Sequence, residues 1–242
     1  GSGHLVHMPA HIYWRVGRYD DAATANIRAA KVDEDYIAQC NAQGFYPALY
    51  YPHNIHFLWA ASSMAGQRDM AISTAQKLGV AAARTGNTET ASAEREKLAA
   101  LKGSVQISFL DTADYPASTL LTIADELLLG EIASVEARHD EAIAHFSAAV
   151  DAQDSLPYTE PPFWYYPTRQ SLGEALVQAG KYAEAEAVYR KDLVDYPHNG
   201  WSMSGLMNAL EAQGKTNEAA EMKPMFDIVW RNSDVVLDGS RL

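Results

Sequence analysis

An all-α fold of stacked helix pairs is what this 242-residue sequence predicts, and three observations predict it. Apolar residues recur at i, i+3, i+4 and i+7 through most of the chain, the period of amphipathic helices and not of strands. Five segments share one joint: a small residue, usually Gly, then a basic or polar residue, often Tyr, and Ala three residues later. Strand patterning is nearly absent, and only Val105-Gln106-Ile107-Ser108-Phe109 reads as a short extended piece.

The joints come in the order VGRYDDAATANIRAA (16–30), AGQRDMAISTAQKLG (65–79), EARHDEAIAHFSAAV (136–150), AGKYAEAEAVYRKDL (179–193) and QGKTNEAAEMKPMFD (213–227). Gly ends one helix and the acidic or polar stretch opens the next, which is helix–turn–helix chemistry. An amphipathic run precedes each joint: HIYWRVG, IHFLWAASSMAG, LLLGEIASVEA, SLGEALVQAG and SGLMNALEAQG. Pro9 and Pro52 each suit a first helical position, so helices are expected to open there. Pro224 is expected to kink or delay the last helix, and the tail VVLDGSRL to leave it and cap the stack. The turn positions Gly17, Gly66, Ala137, Gly180 and Gly214 are 49, 71, 43 and 34 residues apart. The excess lies in three insertions, 42–52, about 80–116 (with room for one degenerate helix pair near 88–102) and 155–163. Long insertions in a compact array are usually functional.

These residues resemble the tetratricopeptide repeat, most fully in SLGEALVQAGKYAEAEAVYRKDLVDYP (171–197), with Leu172-Gly173, Gly180, Tyr182, Ala185, Tyr189 and Pro197 in place. The resemblance implies an α-α superhelix of right-handed sense, with about ten or eleven helices and irregular insertions. Gly1-Ser2-Gly3 looks like a vector-derived scar, and 4–242 is expected to form one domain. Its repeat-like units are placed at about 4–42, 52–86, 117–154, 164–197 and 199–231, with a C-terminal cap at 232–242. The motifs H-x-P-x-H-I-x-x-R-x-G-R-Y, Y-Y-P-H-N-I-H-F-L, E-P-P-x-W-Y-Y-P-x-R and P-x-N-G-W also resemble a bacterial group of larger tetratricopeptide-like proteins of unassigned activity. That likeness implies the C-terminal part of such a protein, associating with an absent N-terminal half.

Composition narrows the function classes. The chain is 48% hydrophobic and 21% charged, and 19 basic against 31 acidic side chains give −12. Nucleic acid and anionic membrane are poor partners for that surface. No apolar run approaches the roughly 18–20 residues of a membrane span. A soluble chain is expected, with cytoplasm and periplasm both open. The single Cys40 excludes an intrachain disulfide and is expected to be a buried or half-buried thiol. Phosphate-binding loops, a nucleophile elbow, H-E-x-x-H and C-x-x-C are all missing.

Five of the eight His residues form two clusters, His4-x-x-His7-x-x-x-His11 and His53-x-x-His56. His4 and His53 lie thirteen residues before their turn glycines, His7 and His56 ten, and His11 six. Residues at these spacings share one helix face. The resemblance places that face on the concave groove, so two adjacent helices would turn imidazoles into one hollow. Imidazoles at such spacing suit Zn, Cu, Fe or Ni, and His7, His11, His53 and His56 are the metal candidates. Direct ligand contact and a purely structural role remain open for the same rings.

The stretch Tyr158-Thr159-Glu160-Pro161-Pro162-Phe163-Trp164-Tyr165-Tyr166-Pro167 packs aromatics among prolines, as a rigid pocket wall or a plug for the core. Glu160 beside these rings, and Glu174 at the −6 offset of His11, are the candidate proton carriers. Trp14, Arg15, Asn54, Trp164, Tyr166, Arg169 and Gln170 are the candidate ligand contacts. The leading reading is a binding scaffold whose concave groove takes a small-molecule or peptide ligand, with a His-rich metal-type site at its N-terminal end. A metal-dependent hydrolytic or oxidative enzyme using the same cluster is one alternative, and a plain protein–protein adaptor another. The riskiest expectation is geometric: Glu160 should face the imidazoles across one cavity.

Overall fold

The computed structural model describes residues 3–40, 45–78, 105–112 and 115–240. Among them are twelve α-helices and no strand: α1 Gly3–His7, α2 Pro9–Arg15, α3 Tyr19–Cys40, α4 Phe45–Met64, α5 Arg68–Leu78, α6 Val105–Thr112, α7 Ala117–Val135, α8 His139–Asp154, α9 Arg169–Gln178, α10 Tyr182–Asp195, α11 Gly200–Ala212 and α12 Thr216–Trp230. Five hairpins follow the five joints: α2/α3, α4/α5, α7/α8, α9/α10 and α11/α12. Each joint residue holds a left-handed conformation, at φ 70° for Gly17, 66° for Gly66, 73° for Gly180 and 77° for Gly214. Ala137 does the same at φ 56° without glycine's freedom. Each turn returns an amide to the preceding helix, as Lys181 N–H does to Leu176 O at 2.8 Å.

Two cores result. One joins α7 to α12 around Ile123, Phe146, Leu172, Tyr189, Leu206 and Leu210. The other joins α2 to α5 around Trp14, Tyr19, Phe57, Leu58 and Met64. Small residues bring the helices of the first core together. A Cβ on Gly173 or Gly205 would come within 2.4 or 2.3 Å of the Tyr189 ring, which is fully buried between them. A buried polar network braces the same layer: Asn199 caps α11 through Trp201 N–H, and its Nδ2 donates to Asp192 Oδ2 at 2.7 Å. Burial raises the Asp192 carboxyl to about 6, against the hydrogen bonds from Ser202 and Asn199.

The two cores meet at a seam. Tyr19 O–H donates to Pro197 O at 3.0 Å, Trp201 Nε1–H to Ser63 O at 2.9 Å and Ser233 O–H to Gly66 O at 2.8 Å. The Trp59 and Tyr165 rings stack at 4.1 Å. The first two hairpins therefore touch the last two, and the ends of the arc are in direct contact.

Several expectations are corrected. Val105–Phe109 lies in helix α6; a short strand without a partner has no ladder to stabilise it. Helix α4 opens at Phe45, so Pro52 lies inside it and the expected insertion at 42–52 is helical from residue 45. The expected helix pair near 88–102 lies outside the described residues. Pro9 does open α2, but His7 belongs to a preceding short helix. Gly3 is buried, and its N–H donates to Asp33 Oδ1 at 3.0 Å. Helix α12 runs continuously through Pro224 to Trp230.

The tail does not cap an end. Asp234 accepts from the Arg68 and Asp69 amides at 2.6 and 3.1 Å. Farther on, Asp238 O accepts from Asn208, and Ser240 O–H donates to Gln170 O at 2.8 Å. The tail thus crosses α9 and α11, on the helix face that in α1 and α2 bears the histidines.

Candidate functional site

The site begins with Pro9, whose fixed φ opens α2 and separates His7 from His11 by a helical junction. His7 ends α1, His11 sits in the first turn of α2, and His53 lies in the middle of α4. Their side chains converge. His7 Nε2 lies 2.8 Å from His11 Nε2 and 3.0 Å from His53 Nε2. The His4 ring stacks beside His7 at 5.4 Å, and one nitrogen from each of His4, His7 and His53 falls within 4.8 Å of the others. Phe57, fully buried, floors the cluster 5.0 Å from both His7 and His11. Burial lowers His7 to about 4, against the hydrogen bond with Asn26, and the other imidazoles add to the fall. Burial followed by the charges of His4, His11 and His56 lowers His53 to about 4 as well. Neutral imidazole is the form that binds metal ions.

The loop of residues 155–168 brings the acid. Glu160 Oε2 accepts from His11 Nδ1–H at 2.5 Å across 149 residues of sequence. Its other oxygen accepts from the Tyr158 hydroxyl and lies 3.9 Å from Arg15 Nε. The Arg15 guanidinium in turn covers the Tyr158 ring at 5.3 Å. Beside this cluster is a cavity of about 130 Å³, walled by Trp14, Arg15, Tyr158, Glu160, Trp164 and Tyr196. The Trp164 indole N–H is buried with no partner among the described residues.

The structure places the other candidates elsewhere. The His56 ring lies tilted against Trp59 at 5.9 Å, and His4 takes the place beside His7 and His53 that His56 was expected to fill. Glu174 accepts from Ser240 N–H at 3.1 Å and from Gln178, so it anchors the tail and is not brought to the imidazoles. Arg169 makes a bidentate pair with Asp154 at 2.8 and 2.5 Å, and Gln170 donates to Asn199 Oδ1 at 3.2 Å. Both are buried, with the tail across their helix. Asn54 is buried and donates to Asp33 Oδ2 at 2.7 Å. Trp14 belongs to the N-terminal core, while Trp164 and Tyr166 pack on the C-terminal one. Of these rings, Trp14 and Trp164 also border the cavity.

Sequence reasoning missed Asn26, fully buried on α3, whose Oδ1 accepts from His7 Nδ1–H at 2.7 Å. A polar residue among the alanines of AATANIRAA was the available signal.

A tetratricopeptide-repeat family model matches residues 168–195, which span α9, the Gly180 turn and α10. The chain carries a tetratricopeptide repeat. Gly173, Gly180, Tyr182, Ala185 and Tyr189 all fall within this tetratricopeptide segment. Crystal structures of a kinesin-light-chain-type protein of Podosopora anserina with nearly identical TPR-like repeats align with the chain at 15% identity and a TM-score of 0.38. A substituted form of that protein covers 93% of this chain and 92% of its own, and the other structure covers 96% of each. No curated protein matches the chain significantly. Among the described residues no helix is long and apolar enough to cross a membrane.

Proposed function

We propose that this tetratricopeptide-repeat protein is a binding scaffold that holds one transition-metal ion on His7, His11 and His53, where the loop of residues 155–168 meets the first two hairpins. The observation that carries the reading is His7 Nε2 at 2.8 Å from His11 Nε2 and 3.0 Å from His53 Nε2, with a His4 nitrogen within 4.8 Å of those of His7 and His53, above an apolar floor. Nitrogen donors of this kind suit Zn, Cu, Ni or Fe better than Mg or Ca. The ion would present a coordination position to a small or peptidic ligand entering beside Glu160. With Glu160 hydrogen-bonded to His11, the same arrangement also suits metal-assisted proton transfer, the enzymatic variant of this reading.

Elemental analysis of chain purified without an immobilised-metal column tests it. About one equivalent of metal is expected, and it should be lost in the His7→Ala/His53→Ala double variant. A metal-free chain whose melting temperature does not move on adding Zn²⁺ or Cu²⁺ would sink the proposal, because an ion bound by the folded state alone must stabilise it.

A further inference from the structure

We infer that Asn26 and Glu160 are positioning residues that keep the ring protons of His7 and His11 on Nδ1, so that both Nε2 lone pairs point at one ion. The inference rests on the metal reading of the same cluster. It starts from the amide of Asn26. Nδ2 donates to Ala22 O at 2.8 Å, one turn back along α3, which fixes the amide with Oδ1 facing His7 Nδ1 at 2.7 Å. An oxygen acceptor there requires the proton on Nδ1, leaving Nε2 of the neutral ring with its lone pair. Glu160 Oε2 imposes the same tautomer on His11 from 2.5 Å. Tyr158 and Arg15, set against the second oxygen, hold the carboxylate in that orientation.

His7 Nε2 and His11 Nε2 are 2.8 Å apart, and with both rings neutral neither has an N–H to place between them, whereas an imidazolium at His11, paired with Glu160, would. His53 Nε2, at 3.0 Å from His7 Nε2, has at most one proton to give, and giving it to His7 leaves the His11 lone pair unmatched. A divalent cation would accept the His7 and His11 lone pairs together, with His53 Nε2 beside His7 as a further donor. Four-coordinate zinc-type geometry with bonds of roughly 2.0–2.1 Å sets the donor nitrogens roughly 3.3 Å apart, so the two contacts of His7 Nε2 would each open by a few tenths of an ångström. Outer partners that fix the tautomer and raise donor basicity typically change metal affinity 10–100-fold.

The test titrates the full chain with Co²⁺, followed by visible absorption, for wild type, Asn26→Leu, Asn26→Asp and Glu160→Ala. Melting curves of the metal-free proteins check folding. Asn26→Leu and Glu160→Ala should each weaken Co²⁺ binding by about 10–100-fold. Asn26→Asp, which keeps an oxygen facing His7, should restore it to within a few-fold of wild type. Imidazole ¹⁵N spectra of the metal-free wild type should show His7 and His11 as Nδ1–H tautomers, a readout that needs neither metal nor a core substitution. An Nε2–H tautomer at His7, or a folded Asn26→Leu chain that binds Co²⁺ as tightly as wild type, overturns the inference and leaves the metal reading standing. A wild-type chain that takes up no Co²⁺ overturns both.

Discussion

The joint at Gly17 offers a quantitative test of the seam that holds the candidate site together. Gly17, Gly66, Gly180 and Gly214 share a left-handed conformation but not an environment. A Cβ on Gly180 would meet nothing within 4 Å, whereas one on Gly17 would lie 2.0 Å from Pro197 O and 2.9 Å from His198 Cβ. Gly180→Ala therefore carries only the left-handed penalty of about 1–2 kcal/mol, less about 0.4–1 kcal/mol from a stiffer unfolded chain. The net loss is about 1 kcal/mol. Gly17→Ala carries the same penalty plus a backbone overlap, and overpacking costs about 1–3 kcal/mol more, for a total of about 3 kcal/mol. Ala137→Gly is the mirror control: residue 137 is exposed and left-handed, so glycine should stabilise by up to about 1 kcal/mol. Urea denaturation resolves the three, since with m of about 2–3 kcal/mol/M each kcal/mol moves the midpoint by roughly 0.3–0.5 M. If Gly17→Ala costs no more than Gly180→Ala, the first hairpin does not pack on Pro197 in solution. The contact that brings Glu160 to His11 would then lose its support.

Tyr189 gives a second packing test: Gly173→Ala should cost about 1–3 kcal/mol in the same denaturation experiment, because the ring has nowhere to move. Tyr189→Phe should cost only about 1 kcal/mol, the loss of the 2.7 Å contact with Ser240, and should speed hydrogen exchange of the Ser240 amide. Acid should weaken the fold through Glu186, which hydrogen bonds from Lys215 and Arg190 lower to about 2. A depressed folded pKa means its stabilisation is present above about 4.5 and fades as pH falls toward 2. Since both cations are partly exposed, about 1 kcal/mol should be lost over that window in pH-dependent melts and should be absent in Glu186→Gln. Asp192 acts in the opposite sense: with its folded pKa raised to about 6, stability should fall as pH rises through 6.

The helix pairs were legible because their joints are local chemistry. A left-handed residue, a polar opener and a helical apolar period specify a hairpin without reference to distant contacts. The neighbourhood of His7, His11 and His53 was legible for a related reason, since residues at equal offsets from equivalent turns occupy equivalent faces. What escaped depended on long-range packing. Pro52 carries a local start signal, yet α4 begins at Phe45. The path of the tail is set by Asp234, Asp238 and Ser240 finding Arg68, Asn208 and Gln170, partners no local pattern announces. Gln170 and Glu174 had the right offsets for a groove, but the tail covers their helix. Asn26 was missed because its role follows from where α3 lies against α1 and α2.

X-ray absorption at the metal edge of the loaded 242-residue chain tests the central claim most directly. The proposed site predicts about three imidazole nitrogens at roughly 2.0–2.1 Å, with the multiple-scattering signature of histidine rings, reduced in His53→Ala. A first shell of oxygens alone, or of no more than one imidazole, would contradict it.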